Sequence, residues 1–374
     1  MKIIILIEII LHELVLSFQS KIISEPYVHF IYSYTFRLQF SYSTYRKLVE
    51  INMASDYLWF SQVGYEITRD PSLNHIKAIN MTLANKTAIG DLYTLNFKFG
   101  GKSIQKFPLV ILKQYQSGYY ESFPLSYKYR NESLSVIHYL YNNQYISNLG
   151  FCFDTSIEGK RGLLHVGGVP DNLLEENPYK TSCNVLQGYS TWGCELNKVI
   201  INNKVIYTNK EYSYFQSNSD KILIPLSFYN FLFENIFSKL DQYSDCPFEK
   251  QEDFYRFRCK CEALPIDFTL SFQFKGVVVS FTKQEMTYDF IGGCFLRILD
   301  NKLNTNEWIL GIPFITKHVL YFDYENSIIS FYSKTPFPIA PNNDYTTLIK
   351  ITYINISLLT LSKLFILQYS EYNL

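Results

Sequence analysis

Two short segments of the chain hold the residues that could carry out chemistry. One reads Asn52-Met-Ala-Ser-Asp and the other Gln216-Ser-Asn-Ser-Asp, and one residue after each segment comes an apolar pair. Two carboxyls that share a proton can activate water as a base and donate to a carbonyl as an acid. Amide side chains do neither near neutral pH. The segments therefore offer either an acid pair at Asp56 and Asp220 or no acid pair at all.

The echo between the two segments predicts a duplicated architecture, because about 160 residues separate them, which is close to the size of one domain. Stretches such as LYTLNFKF, KVIINNKVIY and FTLSFQFKGVVVSF are rich in aromatic and β-branched residues and end in turn residues, as strands do. Apolar residues return every three or four positions in LSVIHYLYNNQYI and LSFYNFLFENIFSKL, which predicts helices there. We expect a mostly β chain with a few short helices.

Composition excludes several classes of partner. The 374 residues are 47% hydrophobic, enough for two lobes of ordinary size, and 34 basic residues balance 34 acidic ones. A chain without net charge has no field that would attract nucleic acid. The six histidines show no metal-ligand spacing, so we predict no metal site and no cofactor.

Four longer segments carry a resemblance to a known family. WILGIPFITKHVLYFDYENSIISF from Trp308 is similar to the hydrophobic-hydrophobic-Gly turn and closing strands of pepsin-like (family A1) eukaryotic aspartic proteases. LPIDFTLSFQFKGVVVSF from Leu264, FCFDTSIEGKRGLLHVGGV from Phe151 and TWGCELNKVIINNKVI from Thr191 resemble other strands of the same family. The resemblance covers about residues 27–336. It implies an all-β, bilobal acid protease fold, a double β-barrel with a few short helices.

The same resemblance divides the chain. It implies an N-terminal lobe over 27–187 and a C-terminal lobe over 188–336, followed by a tail over 337–374. Residues 1–20 have the order of a secretory signal peptide, a Lys before an apolar run and then small polar residues. The tail is apolar over 348–367, but its uninterrupted part is about 12 residues, shorter than a membrane span requires. An amphipathic tail is therefore favoured over a membrane anchor, and a secreted or endolysosomal protein over a membrane-associated one.

Carried over residue by residue, the resemblance implies that the catalytic acids are missing. Asn52 and Gln216 stand where the family has the aspartates of its two Asp-Thr-Gly loops, and Met53 and Ser217 stand at the threonines. Leu125 stands where the N-terminal counterpart of the Leu-Gly turn has glycine. The chain resembles the catalytically inactive members of the family, so whether it is an enzyme stays open and inactivity is the prediction.

The cleft that the resemblance implies could still bind a ligand. Leu83 replaces the flap tyrosine, Asn85 lies at the predicted flap tip, and Ser55 and Ser219 hold the hydroxyl position of each loop. The first hypothesis is a monomeric pseudoprotease that binds an extended peptide or protein between the lobes. The alternative is an active endopeptidase whose acid pair has moved to Asp56 and Asp220.

Cysteines and glycosylation acceptors fit an oxidising, secretory route. The resemblance implies a C-lobe disulfide from Cys294 to Cys261, with Cys259 as the other candidate partner. Further candidate bridges join Cys246 to Cys259 and Cys183 to Cys194, which leaves Cys152 unpaired on a buried strand. The Asn-x-Ser/Thr acceptors are Asn80, Asn85, Asn131 and Asn355.

Overall fold

The structure, a computed structural model, describes residues 21–30, 33–40, 46–61, 70–83, 86–113, 121–127, 134–155, 161–207, 210–235, 248–251, 254–259, 267–290, 293–300 and 307–338. The predicted signal peptide and residues 339–374, which include the apolar stretch 348–367, lie outside these ranges. So do the acceptors Asn85, Asn131 and Asn355 and two cysteines, Cys246 and Cys261.

The first half of the chain supplies eleven strands in the part that the structure describes. They are β1 Ile23–Phe30, β2 Ser33–Phe40, β3 Arg46–Asn52, β4 Trp59–Ser61, β5 Asn74–Leu83, β6 Lys86–Phe99, β7 Lys102–Leu112, β8 Ser122–Pro124, β9 Gly150–Asp154, β10 Arg161–Val166 and β11 Tyr179–Asn184.

The second half supplies the remaining described strands. They are β12 Gly193–Ile201, β13 Lys204–Tyr207, β14 Glu211–Phe215, β15 Ile222–Ile224, β16 Phe248–Gln251, β17 Phe254–Cys259, β18 Thr269–Phe274, β19 Val277–Thr282, β20 Thr287–Phe290, β21 Gly293–Leu296, β22 Ile298–Asp300, β23 Trp308–Leu310, β24 Val319–Asp323 and β25 Ile328–Ser333.

The strands pair into three sheets. A 13-stranded sheet has the order β11-β25-β24-β9-β10-β1-β2-β3-β8-β4-β7-β6-β5, so the last two described strands join the first half. An 8-stranded sheet has the order β19-β18-β12-β14-β23-β15-β22, with β13 on β12, and a 4-stranded sheet has the order β16-β17-β21-β20. The predicted mostly β architecture is confirmed, although the strands form sheets rather than closed barrels.

Short helices connect the strands, and two of them coincide with the helices predicted from apolar periodicity. The described helices are α1 Val136–Asn142, α2 Asp171–Glu176, α3 Leu226–Asn235, α4 Lys283–Met286 and α5 Ile312–Lys317. The side chain of Ser135 caps α1 by accepting a hydrogen bond from the backbone N–H of His138. No helix in the described ranges is both long and apolar enough to cross a membrane.

An aromatic cluster packs the first half of the chain against the last strands. Phe151 on β9 stacks on Phe322 of β24 with ring centroids 4.7 Å apart, and both rings contact Trp192. Trp192 is fully buried and its indole N–H donates to the carbonyl oxygen of Leu125 at 2.9 Å. Burying each such ring contributes about 1.5–3 kcal/mol, so this cluster fixes the two halves against each other close to the predicted catalytic loops.

Candidate functional site

The two predicted loops occupy equivalent places in a repeated strand pattern. In the first half, β3 lies parallel to β8, β8 lies antiparallel to β4, and β4 lies parallel to β7. In the second half, β14 lies parallel to β23, β23 lies antiparallel to β15, and β15 lies parallel to β22. The segment beginning at Asn52 connects β3 to β4, and the segment beginning at Gln216 connects β14 to β15. The two similar segments therefore connect strands that pair in the same order and in the same directions.

Asn52 ends β3 and is held by its own turn. Its side-chain oxygen accepts a hydrogen bond from the backbone N–H of Ala54 at 2.9 Å, as short polar residues do in turns. Its backbone carbonyl accepts from the N–H of Leu125 at 2.9 Å. The side chain is half-buried.

Gln216 follows β14 directly and is also half-buried. Its backbone N–H donates to the carbonyl oxygen of Leu310 at 3.0 Å, which fixes the second turn to β23. An amide here can donate and accept hydrogen bonds, but it cannot give up or take up a proton near neutral pH.

A hydrogen bond joins the two turns. The hydroxyl of Ser217, which is fully buried, donates to the carbonyl oxygen of Ile51 at 2.5 Å. Met53, in the corresponding position of the first turn, is also fully buried but has no hydroxyl to return the bond. We call this contact the junction between the turns. Asn52 and Gln216 lie beside it, because Asn52 directly follows Ile51 and Gln216 directly precedes Ser217. The sequence analysis did not predict this bond, although the hydroxyl of Ser217 could have indicated a hydrogen bond at this position.

Ser55 and Ser219 bond within their own turns, in matching geometry. The hydroxyl of Ser55 donates to the carbonyl oxygen of Tyr57, and that of Ser219 donates to the carbonyl oxygen of Lys221, both at 3.1 Å. Such bonds keep each turn closed, and they leave these hydroxyls engaged with the backbone.

The two aspartates of the alternative hypothesis each have a partner. Asp56 accepts a hydrogen bond from the hydroxyl of Ser126 at 2.9 Å. Asp220 forms an ion pair with Lys221, whose ammonium nitrogen lies 2.5 Å from the carboxylate oxygen and whose side chain is only 9% exposed. The same ammonium lies 3.9 Å from the ring centroid of Tyr288, a cation–π contact.

The predicted flap is a hairpin in the structure. Strands β5 and β6 pair from Asn74 to Leu83, and Leu83 lies opposite Lys86 at the end of the hairpin. Gly90 lies where β6 passes close to β7, because a Cβ there would be 2.8 Å from the carbonyl oxygen of Ile111. Of the predicted acceptors, Asn80 is exposed on β5, and Asn85 lies outside the described residues.

A cavity of about 420 Å³ lies beside this hairpin. Apolar side chains of Leu92 and Leu134 form part of its wall, and Tyr57 of the first turn forms another part. The sequence contained no pattern that indicated this cavity, because its walls come from four separate stretches of the chain. The full lining is Tyr57, Ile76, Lys77, Ala78, Ile79, Leu92 and Leu134.

The predicted disulfide between Cys183 and Cys194 is confirmed, with Cα atoms 6.1 Å apart. Cys152 is unpaired and buried, and burial raises the pKa of its thiol. In the 4-stranded sheet, Cys259 lies directly opposite Cys294, which was the second of the two pairings left open for Cys294. Within the described ranges, no group of three or more His, Cys, Asp or Glu side chains could hold a metal ion.

Solved structures of low sequence identity share this fold. Basic 7S globulin from soybean is 11% identical with a TM-score of 0.66, and the match covers 84% of this chain and 95% of that chain. The aspartic proteinase from Irpex lacteus is 12% identical with a TM-score of 0.67, and the match covers 86% of this chain and 100% of that chain. These likenesses confirm the bilobal acid protease fold.

Comparison of the sequence with protein-family models identifies the family. No curated protein matches the chain significantly. The family model described as eukaryotic aspartyl protease matches residues 74–334, which is more than half of the chain and includes the turn at Gln216. The chain belongs to the eukaryotic aspartyl protease family.

Proposed function

We propose that this chain is a non-catalytic member of its family that binds an extended peptide or protein in the cleft between the lobes. The observation that carries the proposal is the pair of amides, Asn52 and Gln216, on either side of the Ser217–Ile51 hydrogen bond. Peptide hydrolysis in this family needs two carboxyls that share one proton. Amide side chains at both positions can neither take up nor give up that proton near neutral pH.

The partners of the other aspartates support the same conclusion. For Asp220 to act as a general base it would have to leave Lys221, whose buried ammonium would then lose its counter-charge. Asp56 accepts a hydrogen bond from Ser126 within its own half of the chain. Both contacts favour a structural role for these acids over a relocated catalytic pair.

Binding does not require the missing acids. A cleft between two β lobes can hold an extended peptide through backbone hydrogen bonds, and side-chain pockets then select the sequence. In this proposal the hairpin of β5 and β6 covers such a peptide. We expect the protein to bind its ligand as a monomer.

We also propose that the protein resides in an oxidising compartment. The disulfide between Cys183 and Cys194 favours an oxidising route, since cytosolic thiols are kept reduced. Asn80 is exposed on β5 and could accept a glycan. We therefore place the protein in the secretory pathway, either secreted or endolysosomal.

The decisive experiment is a protease assay with a matched variant. The purified protein is incubated with denatured haemoglobin from pH 3 to 6, with and without a statin-type inhibitor, beside the Asp220→Asn variant. We expect no cleavage above the buffer control in any sample. Cleavage that the inhibitor blocks and that Asp220→Asn abolishes would overturn the proposal in favour of the relocated acid pair.

Binding is tested separately. A library of extended peptides is passed over the immobilised protein, and retained peptides are measured against Leu83→Arg, which puts a bulky charge at the end of the flap hairpin. We expect retention by the wild type and loss in the variant. If the wild-type protein retained no peptide, the binding proposal would be wrong and the fold would have only a scaffold role.

A further inference from the structure

The outer strand of the flap hairpin has an open edge. Strand β5 is the last strand of the 13-stranded sheet, and within the described residues it pairs only with β6. The side chains from Asn74 to Ala78 are all exposed, and none of the described segments pairs with the outer side of this strand. An edge of this kind presents unpaired backbone N–H and C=O groups to any extended chain that approaches it.

The cavity described above lies beside this same strand. It is bordered by four consecutive residues of β5, from Ile76 to Ile79. The alternation of side chains is broken within this stretch by the bulge at Ile76, so neighbouring residues of β5 can border the cavity together. Its volume of about 420 Å³ is sufficient for a large apolar side chain, and Tyr57, Leu92 and Leu134 give it an apolar wall.

A bulge opens the edge further. The register of β5 against β6 shifts between His75 and Lys77, so Ile76 is the extra residue. Bulges bend a strand and redirect its side chains. Ile76 is 47% exposed, which puts a large apolar side chain in water at the mouth of the cavity.

Lys77 gives the cavity an unneutralised positive charge. It is exposed and forms no hydrogen bond or ion pair with any residue in the described part of the chain. The neighbouring cations differ in this respect, since Lys113 and His75 both lie beside Asp91, at 3.2 and 3.6 Å. The charge of Lys77 is therefore available to an acidic group on a ligand.

We propose that the open edge of β5 is a second binding site, which takes an extended acidic peptide by strand addition. The peptide pairs with the β5 backbone, places an apolar side chain against Tyr57, Leu92 and Leu134, and sets a carboxylate beside Lys77. The site uses the outer strand of the hairpin, and the proposal does not depend on what the interlobe cleft binds. A second copy of the chain is disfavoured, because pairing β5 with itself would bring another Lys77 to a charge that is already uncompensated.

The test uses fluorescein-labelled seven-residue peptides with a central leucine, flanked by glutamates in one set and by lysines in the other. Fluorescence anisotropy at low salt should show the glutamate set binding about fivefold more tightly. Lys77→Glu should reverse that preference, and Ile76→Asn should weaken the glutamate set about fivefold. The matched controls are Lys204→Glu, another exposed strand lysine, and Ile89→Asn, an isoleucine that is 56% exposed on β6 outside the cavity.

Backbone pairing is tested by N-methylation of the peptide at each position in turn. Strand addition predicts that methylation weakens binding at every second position, because alternate N–H groups face the partner strand. Equal affinity for both peptide sets, or insensitivity to both Lys77→Glu and Ile76→Asn, would overturn the proposal. So would self-association that Ile76→Asn abolishes without any peptide binding, which would assign the edge to a second copy. Lys77→Glu should leave the retention of the peptide library by the cleft unchanged, because Lys77 is not at the end of the hairpin that would cover the cleft, so failure here is distinguishable from failure of the cleft proposal.

Discussion

The hydroxyl of Ser217 donates to the carbonyl oxygen of Ile51 at 2.5 Å, across 166 positions of sequence. The donor belongs to the second turn and the acceptor to the strand that leads into the first. The corresponding position in the first turn is Met53, which contributes apolar contact only. The junction between the turns is therefore held by one directed hydrogen bond instead of a reciprocal pair.

Removing that hydrogen bond should destabilise the protein. Ser217→Ala leaves a buried carbonyl oxygen without its donor, and we expect the free energy of unfolding to fall by about 1–3 kcal/mol. Urea denaturation measures the change. Ser219→Ala is the matched control, since its hydroxyl bonds only within its own turn, and it should cost less than about 1 kcal/mol. Equal losses in the two variants would contradict a special role for the junction.

The ion pair between Asp220 and Lys221 should be structural. Asp220→Asn leaves a buried ammonium without its counter-charge, and we expect a loss of about 2–4 kcal/mol in unfolding free energy. Adding Lys221→Met to that variant should recover much of the loss, because an apolar side chain needs no counter-charge.

The exposed pair between Lys210 and Glu195 provides the control for this prediction. Its lysine side chain is 74% exposed, so Glu195→Gln should change stability by less than about 0.5 kcal/mol. If the double variant were no more stable than Asp220→Asn alone, the ion pair would not be the cause of the loss.

Gly311 should not tolerate a side chain. A Cβ at this position would lie 2.1 Å from the carbonyl oxygen of Lys221 and 2.3 Å from that of Ser219. Gly311→Ala must therefore separate the second turn from β23, and we expect a loss of more than about 2 kcal/mol or failure to fold. Thermal unfolding followed by circular dichroism measures it, and a melting temperature equal to that of the wild type would contradict the prediction.

Stability should fall in acid because of His318. Burial, then the positive charge of Lys317, lowers the pKa of His318 to about 4, and Glu285 opposes this. A histidine in the unfolded chain titrates near 6.5. As the pH falls from about 6.5 towards 4, the unfolded state therefore binds a proton that the folded state does not, and stability is lost.

The loss attributable to His318 should approach about 3 kcal/mol at pH 4. Urea denaturation at pH 7, 5.5 and 4.5 measures it, with His318→Phe as the comparison, since the ring lies beside Phe331 and Phe337. The variant should lose less stability than the wild type over this range. Parallel pH profiles for the two proteins would exclude His318 as the cause.

Peptide mapping without reduction should find two linked pairs among the cysteines in the described ranges. One joins Cys183 to Cys194, and the other joins Cys259 to Cys294, which face each other across two antiparallel strands. Cys152 should resist alkylation until the chain unfolds, because it is buried and its pKa is raised. A peptide linking Cys261 to Cys294 would contradict the second pairing.

The strands and helices were largely predictable, because they depend on local patterns of apolar residues. The helix at Val136–Asn142 was predicted from the return of apolar residues every three or four positions, and Ser135 adds a cap. The aromatic and β-branched run that became β18 and β19 was likewise read as strand. The sheets themselves were less predictable, since β24 and β25 join strands of the first half by pairing over long distances in sequence.

Some features of the candidate site could likewise be predicted from the sequence, and others could not. That Asn52 and Gln216 carry amides, and that they lie in repeated segments, is a property of the sequence, since residue identity and spacing need no coordinates. That Ser217 bonds Ile51, that Asp56 accepts a hydrogen bond from Ser126, and that Ile76 and Lys77 lie on an open edge were decided only by the tertiary structure. The physical reason is that a side chain's partners come from segments that only the folding of the sheets brings together.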